Sequence, residues 1–349
     1  MNLKDKKILL AHSNVGPLLN SWHSKRQFHA NDLGYNLETF GMSDYFGYTI
    51  FPYLDKLYKN GDKKLFKFYE KLGEKIDDCD VFIHFNGALI HPRFLEQFDK
   101  FKVYHCADDP EASKVLSKPV ANSYDICAIS NPSCIDMYKK WGCKNVFFWP
   151  LGAYYYNEET DYEDLERDLK ITFIGSKSGV PRFRYLNKVP LIKNFNFISY
   201  KKSFLSKFKN EFPFMTSYGG GWDGGYIDDS AIPNIYQRSL LGLNLHNGLG
   251  PINARLYDLA AFGICQICDN KSNLHHVFDL GKEIIGYDNF NECVDLTKYY
   301  LNHIEEAEEI GYAAKLKFNS KFTTREIMKT FFNQVQNIIN EDINFKTIH

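Results

Sequence analysis

A short segment rich in small and basic residues, 175–184, has the composition of an anion-binding loop. It directly follows 171–174, an apolar run with the pattern of a buried strand. Small residues let the backbone approach a phosphate, and basic side chains and the first amides of a following helix would bind it. The Walker spacing is absent, and a surface turn with solvated basic residues is the alternative. The residues of interest are Gly175, Ser176, Lys177, Arg182 and Arg184.

A second segment, 253–263, has an arginine and a carboxylate at a spacing that suits the diphosphate and the ribose of a nucleotide. On a helix, Arg255 and Asp258 are three residues apart and share one face. The arginine would then contact a diphosphate, and the carboxylate would accept two ribose hydroxyls. An ordinary intrahelical ion pair, worth about 0.2–0.5 kcal/mol, explains the same spacing. Taken by itself, the segment favours the ion pair.

Two adjacent carboxylates, Asp108 and Asp109, follow 103–106, a run with the pattern of a buried strand. Ligands of open α/β sheets bind at the carboxyl ends of the strands. Two carboxylates that face one site raise each other's pKa, which suits a general base near neutral pH. We assign the base to Asp108. The same stretch is also typical of a helix start, with Asp109 as N-cap and Pro110 in the first turn.

The histidines and cysteines lack the spacing of a metal site, and we predict no metal. Cys265 and Cys268 have the CxxC spacing but lie in an apolar run, where their side chains would point to opposite faces of a strand. The eight cysteines are scattered mostly among apolar residues, which indicates a reducing compartment. His84 and His246 remain candidates for contact with a substrate. The histidines that match no metal-ligand pattern are His12, His23, His84, His105 and His246.

The elements that must position these residues are predicted from an alternation of short apolar runs with longer runs of helical period. This alternation is typical of βα units around a parallel sheet. The predicted strands of the first half are 8–12, 37–40, 81–85, 103–106, 126–129 and 146–149. Those of the second half are 171–174, 197–200, 214–218, 240–245, 265–268 and 283–287. After residue 287 the chain is predicted to be helical to its end.

The chain divides at an acidic segment, 158–168, that is poor in apolar residues. A length of 349 residues is enough for two domains, each with its own core. The predicted organisation is an N-terminal Rossmann-like domain at 1–157, the acidic linker at 158–168, a C-terminal Rossmann-like domain at 169–322, and a helix and tail at 323–349. Two such α/β domains imply a ligand cleft at the carboxyl ends of both sheets.

Composition limits the partners. Lys and Arg number 42 against 43 for Asp and Glu, so no global basic field is available to hold a polyanion. This balance argues against tight nucleic-acid binding without excluding a local patch. No window approaches about 18 consecutive apolar residues, and the first apolar run is too short for a signal sequence. We therefore predict a cytoplasmic protein without an integral membrane segment.

Several short motifs resemble the GT-B glycosyltransferases, specifically the group named after the spore maturation protein CgeB. At 253–263 that group has Asn-x-Arg-x-aromatic-Glu, then small residues and glycine. The resemblance implies two Rossmann-like domains facing across a cleft, the first binding an acceptor and the second a nucleotide sugar. It also implies that the final helix returns to the N-terminal domain. The other matching segments, in the expected order, are 107–110, 130–132, 149–153, 173–176, 218–222 and 243–246.

A more distant similarity to the phage DNA β-glucosyltransferase, also GT-B, implies individual roles. Ser176 and Arg182 would lie near the donor phosphates. Arg255 would bind the diphosphate, Asp258 the ribose, and Asp108 would be the catalytic base. The residues that the resemblance assigns to nucleotide-sugar binding are Gly175, Ser176, Lys177, Arg182, Gly219, Trp222, Asn253, Arg255 and Asp258, and those assigned to catalysis are Asp108 and Asp109.

Two departures from the family pattern bear on mechanism. Asp258 stands where the family has Glu, one methylene longer. The Glu-x7-Glu pattern of retaining members would need an acid at position 250, which is Gly250. The second departure favours an inverting mechanism over a retaining one.

The sequence thus predicts a glycosyltransferase that moves a sugar from a nucleotide-diphosphate donor, with UDP as the expected nucleotide, to a hydroxyl of a glycan, a lipid-linked or another acceptor. The nucleotide sugar is a co-substrate, and no cofactor or metal is expected. Three alternatives stay open: a nucleotide-sugar 2-epimerase on the same fold, a DNA-base glucosyltransferase of the phage type, and a non-catalytic two-lobed sugar-binding module.

Overall fold

The computed structural model describes residues 1–13, 17–47, 49–177, 192–246 and 252–348. Arg182, Arg184 and Gly250 lie outside the described residues. The chain forms two compact units. The first contains Met1–Leu151 and Thr324–His349, and the second contains Gly152–Thr323.

The first unit is an α/β unit built on a six-stranded parallel sheet. Its strands are β1 (Lys7–His12), β2 (Asn36–Gly41), β3 (Val81–Phe85), β4 (Phe101–Cys106), β5 (Ile126–Ile129) and β6 (Asn145–Phe148). Its helices are α1 (Pro17–Asp32), α2 (Phe51–Lys59), α3 (Lys63–Asp77), α4 (Pro92–Leu95), α5 (Ile135–Lys140) and α12 (Thr324–Ile348). Short 3-10 helices lie at Leu3–Asp5, Met42–Asp44, Ala121–Ser123 and Pro132–Cys134.

The strand order of this sheet is β2-β1-β3-β4-β5-β6. The connections run in opposite directions from β1, so β1 and β3 flank a topological switch point, where ligands of doubly wound sheets bind. The inner strands β3 and β5 are buried along their whole length, as expected for parallel strands covered on both faces. All six strands predicted for the first half are confirmed.

The helix α12 closes the core of the first unit. Phe331 stacks on Trp149 with ring centroids 4.1 Å apart, and Phe332 stacks on Tyr35 at 3.9 Å. The side chain of Gln336 accepts a hydrogen bond of 2.8 Å from the backbone N–H of Leu3. The predicted return of the final helix to the N-terminal domain is confirmed by these contacts.

The second unit is built on a five-stranded parallel sheet. Its strands are β7 (Leu169–Ile174), β8 (Thr216–Tyr218), β9 (Ser239–Asn244), β10 (Cys265–Cys268) and β11 (Ile285–Gly286). Its helices are α6 (Ile192–Glu211), α7 (Ile232–Gln237), α8 (Ala254–Ala261), α9 (Lys271–Leu274), α10 (Phe290–Asn302) and α11 (Ile304–Lys321), with a 3-10 helix at Asp229–Ala231.

The order β11-β10-β9-β7-β8 repeats the doubly wound arrangement of the first unit. Here β7 and β9 flank the switch point, and their carboxyl ends are Ile174 and Asn244. The loops that follow these two residues are therefore the expected place for a ligand.

One predicted strand of the second half is wrong. Residues 197–200 lie within helix α6 instead. The local run is apolar and aromatic, but the buried residues that follow, Phe204, Leu205, Phe208 and Phe212, recur at helical rather than alternating spacing. The helical spacing of these buried residues overrides a four-residue run of strand-forming side chains.

Within the described parts of the chain, no helix is both long enough and apolar enough to cross a lipid bilayer.

Candidate active site

Arg255 lies at the switch point of the second sheet. It follows the N-cap residue Asn253 of α8, and its guanidinium lies over the ring of Phe173 at 4.4 Å. Its Nε and Nη2 both donate to the carbonyl of Ile174, at 2.9 and 2.6 Å. Its Nη1 donates to Oδ1 of Asn244 at 3.1 Å. The side chain therefore links the carboxyl ends of the two strands that flank the switch point.

The positive charge of Arg255 is held by neutral groups. Its described acceptors are a backbone carbonyl and a side-chain amide, and no described carboxylate forms an ion pair with it. Its side chain is only partly buried. A fixed, partly desolvated cation without a counter-charge attracts an anion more strongly than a solvated one does. This is the main electrostatic feature of the site.

Two loops beside Arg255 pack backbone against backbone. The N–H of Gly175 donates to Tyr218 O at 2.8 Å, and that of Lys177 donates to Gly220 O at 2.8 Å. The indole Nε1 of Trp222 donates to Gly175 O at 2.9 Å, and Lys177 Nζ lies 4.7 Å from the Trp222 ring centroid. Ser176 Oγ also lies 3.5 Å from Gly220 O. These contacts fix the loop after β7 to the loop after β8.

Glycine is required at the two closest points of this packing. Gly175 has φ +151°, and a Cβ there would overlap Nη2 of Arg255. Gly219 has φ +121°, and a Cβ there would lie 2.5 Å from Gly175 O. Both conditions, positive φ and close approach, exclude other residues. The small residues noted in the sequence thus make room for Arg255 and for the second loop.

A second cation near this site is Lys201 on α6, which sequence patterns did not single out. Its side chain is 1% exposed. Burial lowers the pKa of Lys201 to about 7, and the positive charge of Arg255 lowers it further, whereas Asp269 opposes the shift. The lowered pKa of Lys201 thus reflects its burial near the positive charge of Arg255.

Two of the predicted donor residues, Asn253 and Asp258, use their side chains to stabilise the local fold. Asn253 accepts from the N–H of Leu256 at 3.0 Å as the N-cap of α8, and it pairs with Asn244 through two side-chain bonds. Asp258 is 1% exposed, and its Oδ1 accepts from the N–H groups of Tyr154 and Tyr155, at 2.7 and 2.9 Å. Asp258 therefore anchors residues 154 and 155 to α8. Its role toward a ribose stays a prediction.

The first unit presents Asp108 beside its own switch point. Asn86, which follows β3 with φ +64°, donates from Nδ2 to Asp108 Oδ2 at 3.1 Å and accepts from the N–H of Ala107 at 3.2 Å. The backbone N–H of Asn86 donates to His105 O at 2.8 Å, and Ser13 Oγ donates to the carbonyl of Asn86 at 3.1 Å. Asn86 thus connects the ends of β1, β3 and β4 and orients Asp108.

Asp109 is turned into the core. It is 4% exposed, and its carboxylate accepts from Ser117 Oγ at 2.6 Å and from Tyr138 Oη at 2.5 Å. Burial raises the pKa of Asp109 to about 6, against the lowering effect of these two hydrogen bonds. The structure separates the two carboxylates: Asp108 is partly exposed, and Asp109 is internal.

The predicted helix start at Asp109 and Pro110 is wrong. Residues 109–120 form consecutive turns, and the carboxylate that was expected to cap a helix is used by Ser117 and Tyr138 instead. Pro119 would in any case have ended such a helix within about two turns.

Among the described residues, His246, Cys268 and Asp269 bring three potential metal ligands within 4.8 Å of one another. The Nδ1 of His246 lies 2.5 Å from Asp269 Oδ1, a hydrogen-bond distance, whereas two ligands of a tetrahedral zinc would be about 3.3 Å apart. Burial raises the pKa of the Cys268 thiol well above its usual range, which opposes the thiolate that a metal needs. The geometry is that of a hydrogen-bonded group.

Comparison with known proteins agrees with this architecture. Residues 201–333, which include Arg255, match a family model described as glycosyl transferase-like. Sucrose-phosphate synthase from Thermosynechococcus elongatus superposes with a TM-score of 0.63 at 12% identity, covering 96% of this chain and 100% of that one. HepE from Anabaena, in complex with UDP, gives 0.56 at 11% identity, covering 95% and 100%.

The chain has a GT-B fold, and its residues 201–333 are similar to a glycosyl transferase-like family. The predicted α/β fold class, with two parallel-sheet domains of the GT-B type, is confirmed. A putative UDP-N-acetylglucosamine 2-epimerase from Listeria monocytogenes is also similar, with a TM-score of 0.53 at 9% identity and coverage of 96% and 97%. At these identities the structural likeness establishes the fold. A search of curated proteins gives no match.

Within this GT-B fold, the predicted donor residues fall into two groups. Gly175, Ser176, Lys177, Gly219, Trp222 and Arg255 come together at one end of the second sheet. Asn253 and Asp258 lie on the adjoining helix with the structural contacts given above. Asn86, Lys201 and Asn244 contribute to the two sites, but none of them is assigned a role from the sequence. Asn86 directly follows a predicted strand, and Asn244 lies in the matching segment 243–246, whereas no sequence pattern marks Lys201.

Proposed function

We propose that this protein transfers a sugar from a nucleotide-diphosphate donor, bound by the second unit, to an acceptor hydroxyl. The observation that carries this proposal is Arg255: a fixed guanidinium at the switch point, held only by neutral acceptors among the described residues. A diphosphate is the anionic part of a nucleotide sugar, and it would supply the missing counter-charge. The glycosyl transferase-like match over 201–333 supports the same assignment.

We take the donor to be a UDP-sugar. The support is the similarity to HepE, whose structure was determined with UDP. The phosphates would lie against Arg255 and Lys177, near the backbone of Gly175 and Ser176. These groups would neutralise the charge that develops on the departing diphosphate, so no divalent ion is needed for that purpose.

For the acceptor we assign the general base to Asp108 in the first unit. Its position after β4 and its bond from Asn86 hold one carboxylate oxygen in place. In the proposed step, Asp108 takes the proton of the acceptor hydroxyl, and the hydroxyl oxygen forms a bond to the anomeric carbon. The bond from that carbon to the diphosphate oxygen breaks, and the nucleoside diphosphate leaves with the electron pair. Direct displacement of this kind inverts the anomeric configuration.

The test measures nucleotide binding and turnover with purified full-length protein. UDP-, GDP- and dTDP-sugars are incubated with and without candidate acceptors, and products are identified by mass spectrometry. Arg255→Ala should weaken UDP binding about 10-fold to 100-fold, because a charge-assisted contact contributes about 1.5–3 kcal/mol. The matched control is Arg238→Ala, an exposed arginine of the same unit that pairs with Asp168.

The proposal predicts that UDP release is coupled to formation of a glycosylated acceptor. Arg255→Ala should weaken UDP binding and lose this turnover, and Arg238→Ala should retain both. Absence of binding to all three nucleoside diphosphates would refute it. The second candidate function, a 2-epimerase, is favoured by the similarity to the Listeria protein. That activity would instead show as a change of configuration at C2 of UDP-N-acetylglucosamine without any acceptor.

A further inference from the structure

The imidazole of His246 is held in one orientation by Asp269. His246 comes two residues after the end of β9, and Asp269 directly follows β10. Asp269 Oδ1 lies 2.5 Å from His246 Nδ1, and both carboxylate oxygens accept from the backbone N–H of His246 at 3.1 Å. One carboxylate therefore fixes the backbone and the ring of the same residue.

The other ring nitrogen of His246, Nε2, has no hydrogen-bond partner among the described residues. The side chain is 2% exposed, and Nε2 is a buried atom without a hydrogen bond within the described parts of the chain. Leaving a buried polar atom unsatisfied costs about 1–3 kcal/mol, so such atoms in a folded protein call for an explanation. A ligand group that hydrogen-bonds to Nε2 would explain why this atom is left unpaired among the described residues.

The position of His246 relates it to the donor site of the proposed function. Asn244, two residues earlier on the chain, accepts a hydrogen bond from Nη1 of Arg255. Asp269 is close enough to Lys201 to influence its titration. The carboxyl ends of β9 and β10 are thus shared by His246, Asp269 and the cationic group around Arg255.

The hydrogen-bond chemistry of the ring identifies which part of a donor it suits. A carboxylate only accepts, so the bond to Asp269 keeps the proton of a neutral imidazole on Nδ1 and leaves Nε2 as an acceptor. Phosphate oxygens are acceptors as well and do not pair with that lone pair. A sugar hydroxyl donates and does pair.

We propose that Nε2 of His246 accepts a hydrogen bond from a hydroxyl of the transferred sugar, with Asp269 as the positioning residue that fixes the tautomer. This inference rests on the proposed function, and it makes His246 a determinant of sugar recognition rather than of nucleotide recognition.

The experiment compares the affinities for UDP and for three UDP-sugars, UDP-glucose, UDP-galactose and UDP-N-acetylglucosamine, by calorimetry on the full chain. His246→Asn retains an amide N–H at the position of Nδ1, so the contact with Asp269 is kept while Nε2 is removed. We expect binding of at least one UDP-sugar to weaken about 3-fold to 10-fold, and UDP binding to change less than 2-fold.

Asp269→Ala tests the positioning role. Without the carboxylate, the ring loses the acceptor that keeps its proton on Nδ1, so this variant should weaken binding of the same UDP-sugar and leave UDP binding unchanged. Thermal unfolding and zinc content of both variants are measured in parallel.

Four results would overturn the inference. They are equal weakening of UDP and UDP-sugar binding, which indicates a phosphate contact; no change of UDP-sugar affinity in either variant; weaker UDP-sugar binding in His246→Asn but not in Asp269→Ala; and stoichiometric zinc in the wild type that His246→Asn loses. If the wild type binds neither UDP nor any UDP-sugar, the proposed function itself fails, and this inference fails with it.

Discussion

Replacing Gly175 by alanine should weaken nucleotide binding by displacing Arg255, which is 80 positions away in the chain. The new Cβ would overlap Nη2 of Arg255 and lie 3.3 Å from its Cζ. The guanidinium would have to move away from Ile174 O, to which it donates two hydrogen bonds. The cation would then no longer be held at the switch point.

The expected cost has two parts. A φ of +151° is a conformation that essentially only glycine adopts, and alanine there costs about 1–3 kcal/mol. Loss of the charged hydrogen bonds to Ile174 adds about 1.5–3 kcal/mol. The free energy of unfolding should therefore fall by about 2.5–6 kcal/mol, and UDP affinity should fall more than 10-fold.

Gly281 provides the matched control. It belongs to the same unit and has φ +75°, but a Cβ there would meet nothing within 4 Å. Gly281→Ala should cost about 1–2 kcal/mol of stability from backbone strain alone and leave UDP binding unchanged. Stability is measured by urea unfolding and affinity by calorimetry. If Gly175→Ala binds UDP as the wild type does while folded, the placement of the diphosphate at Arg255 is wrong.

Three further predictions concern chemistry and pH. Asp108→Asn should lower turnover about 100-fold or more with donor affinity unchanged, as steady-state kinetics would show; normal turnover would place the base elsewhere. Turnover should persist in EDTA, and activity that is lost and then restored by Mn²⁺ or Mg²⁺ would contradict the metal-independent step. Burial holds the pKa of His84 at about 3 and those of His23 and His105 well below the usual range. Below about pH 6.5 each of these three histidines binds a proton in the unfolded chain but not in the folded chain. The free energy of unfolding should therefore fall as the pH drops from about 6.5 to 4, by up to about 1.4 kcal/mol per histidine and pH unit. The pKa of Asp109 is raised to about 6, so between about pH 6 and 4 this carboxylate binds a proton in the folded chain but not in the unfolded one. Its proton cancels the effect of one of the three histidines in that range. Urea midpoints that stay constant over this range would refute the histidine argument.

Strands and fold class were predictable because parallel strands leave local traces. A run such as Val81–Phe85 is apolar except for His84 and is bounded by polar residues, which suffices to identify a buried strand. Residues 197–200 show the limit, since a run of four strand-forming residues carries less information than the helical spacing of the buried residues that follow it.

The site was predictable only in part because its contacts join distant segments. The composition of 175–177 and the spacing around Arg255 are local, and these residues do come together. The bond from Tyr154 N–H to Asp258 spans 104 residues and has no local signature. The same holds for Asn86, whose amide reaches Asp108 only because β3 and β4 are neighbours in the sheet.

The membership of α12 in the first unit has a consequence for synthesis on the ribosome. The segment from Gly152 to Thr323 is complete before α12 is translated, so the second unit has all of its residues while the first still lacks a helix. Until then, Trp149 and Tyr35 have no aromatic partner from α12 to cover them. The first unit therefore begins to emerge from the ribosome before the second unit but can complete its fold only after it. Until α12 is added, the first unit exposes an apolar surface of the kind that chaperones bind.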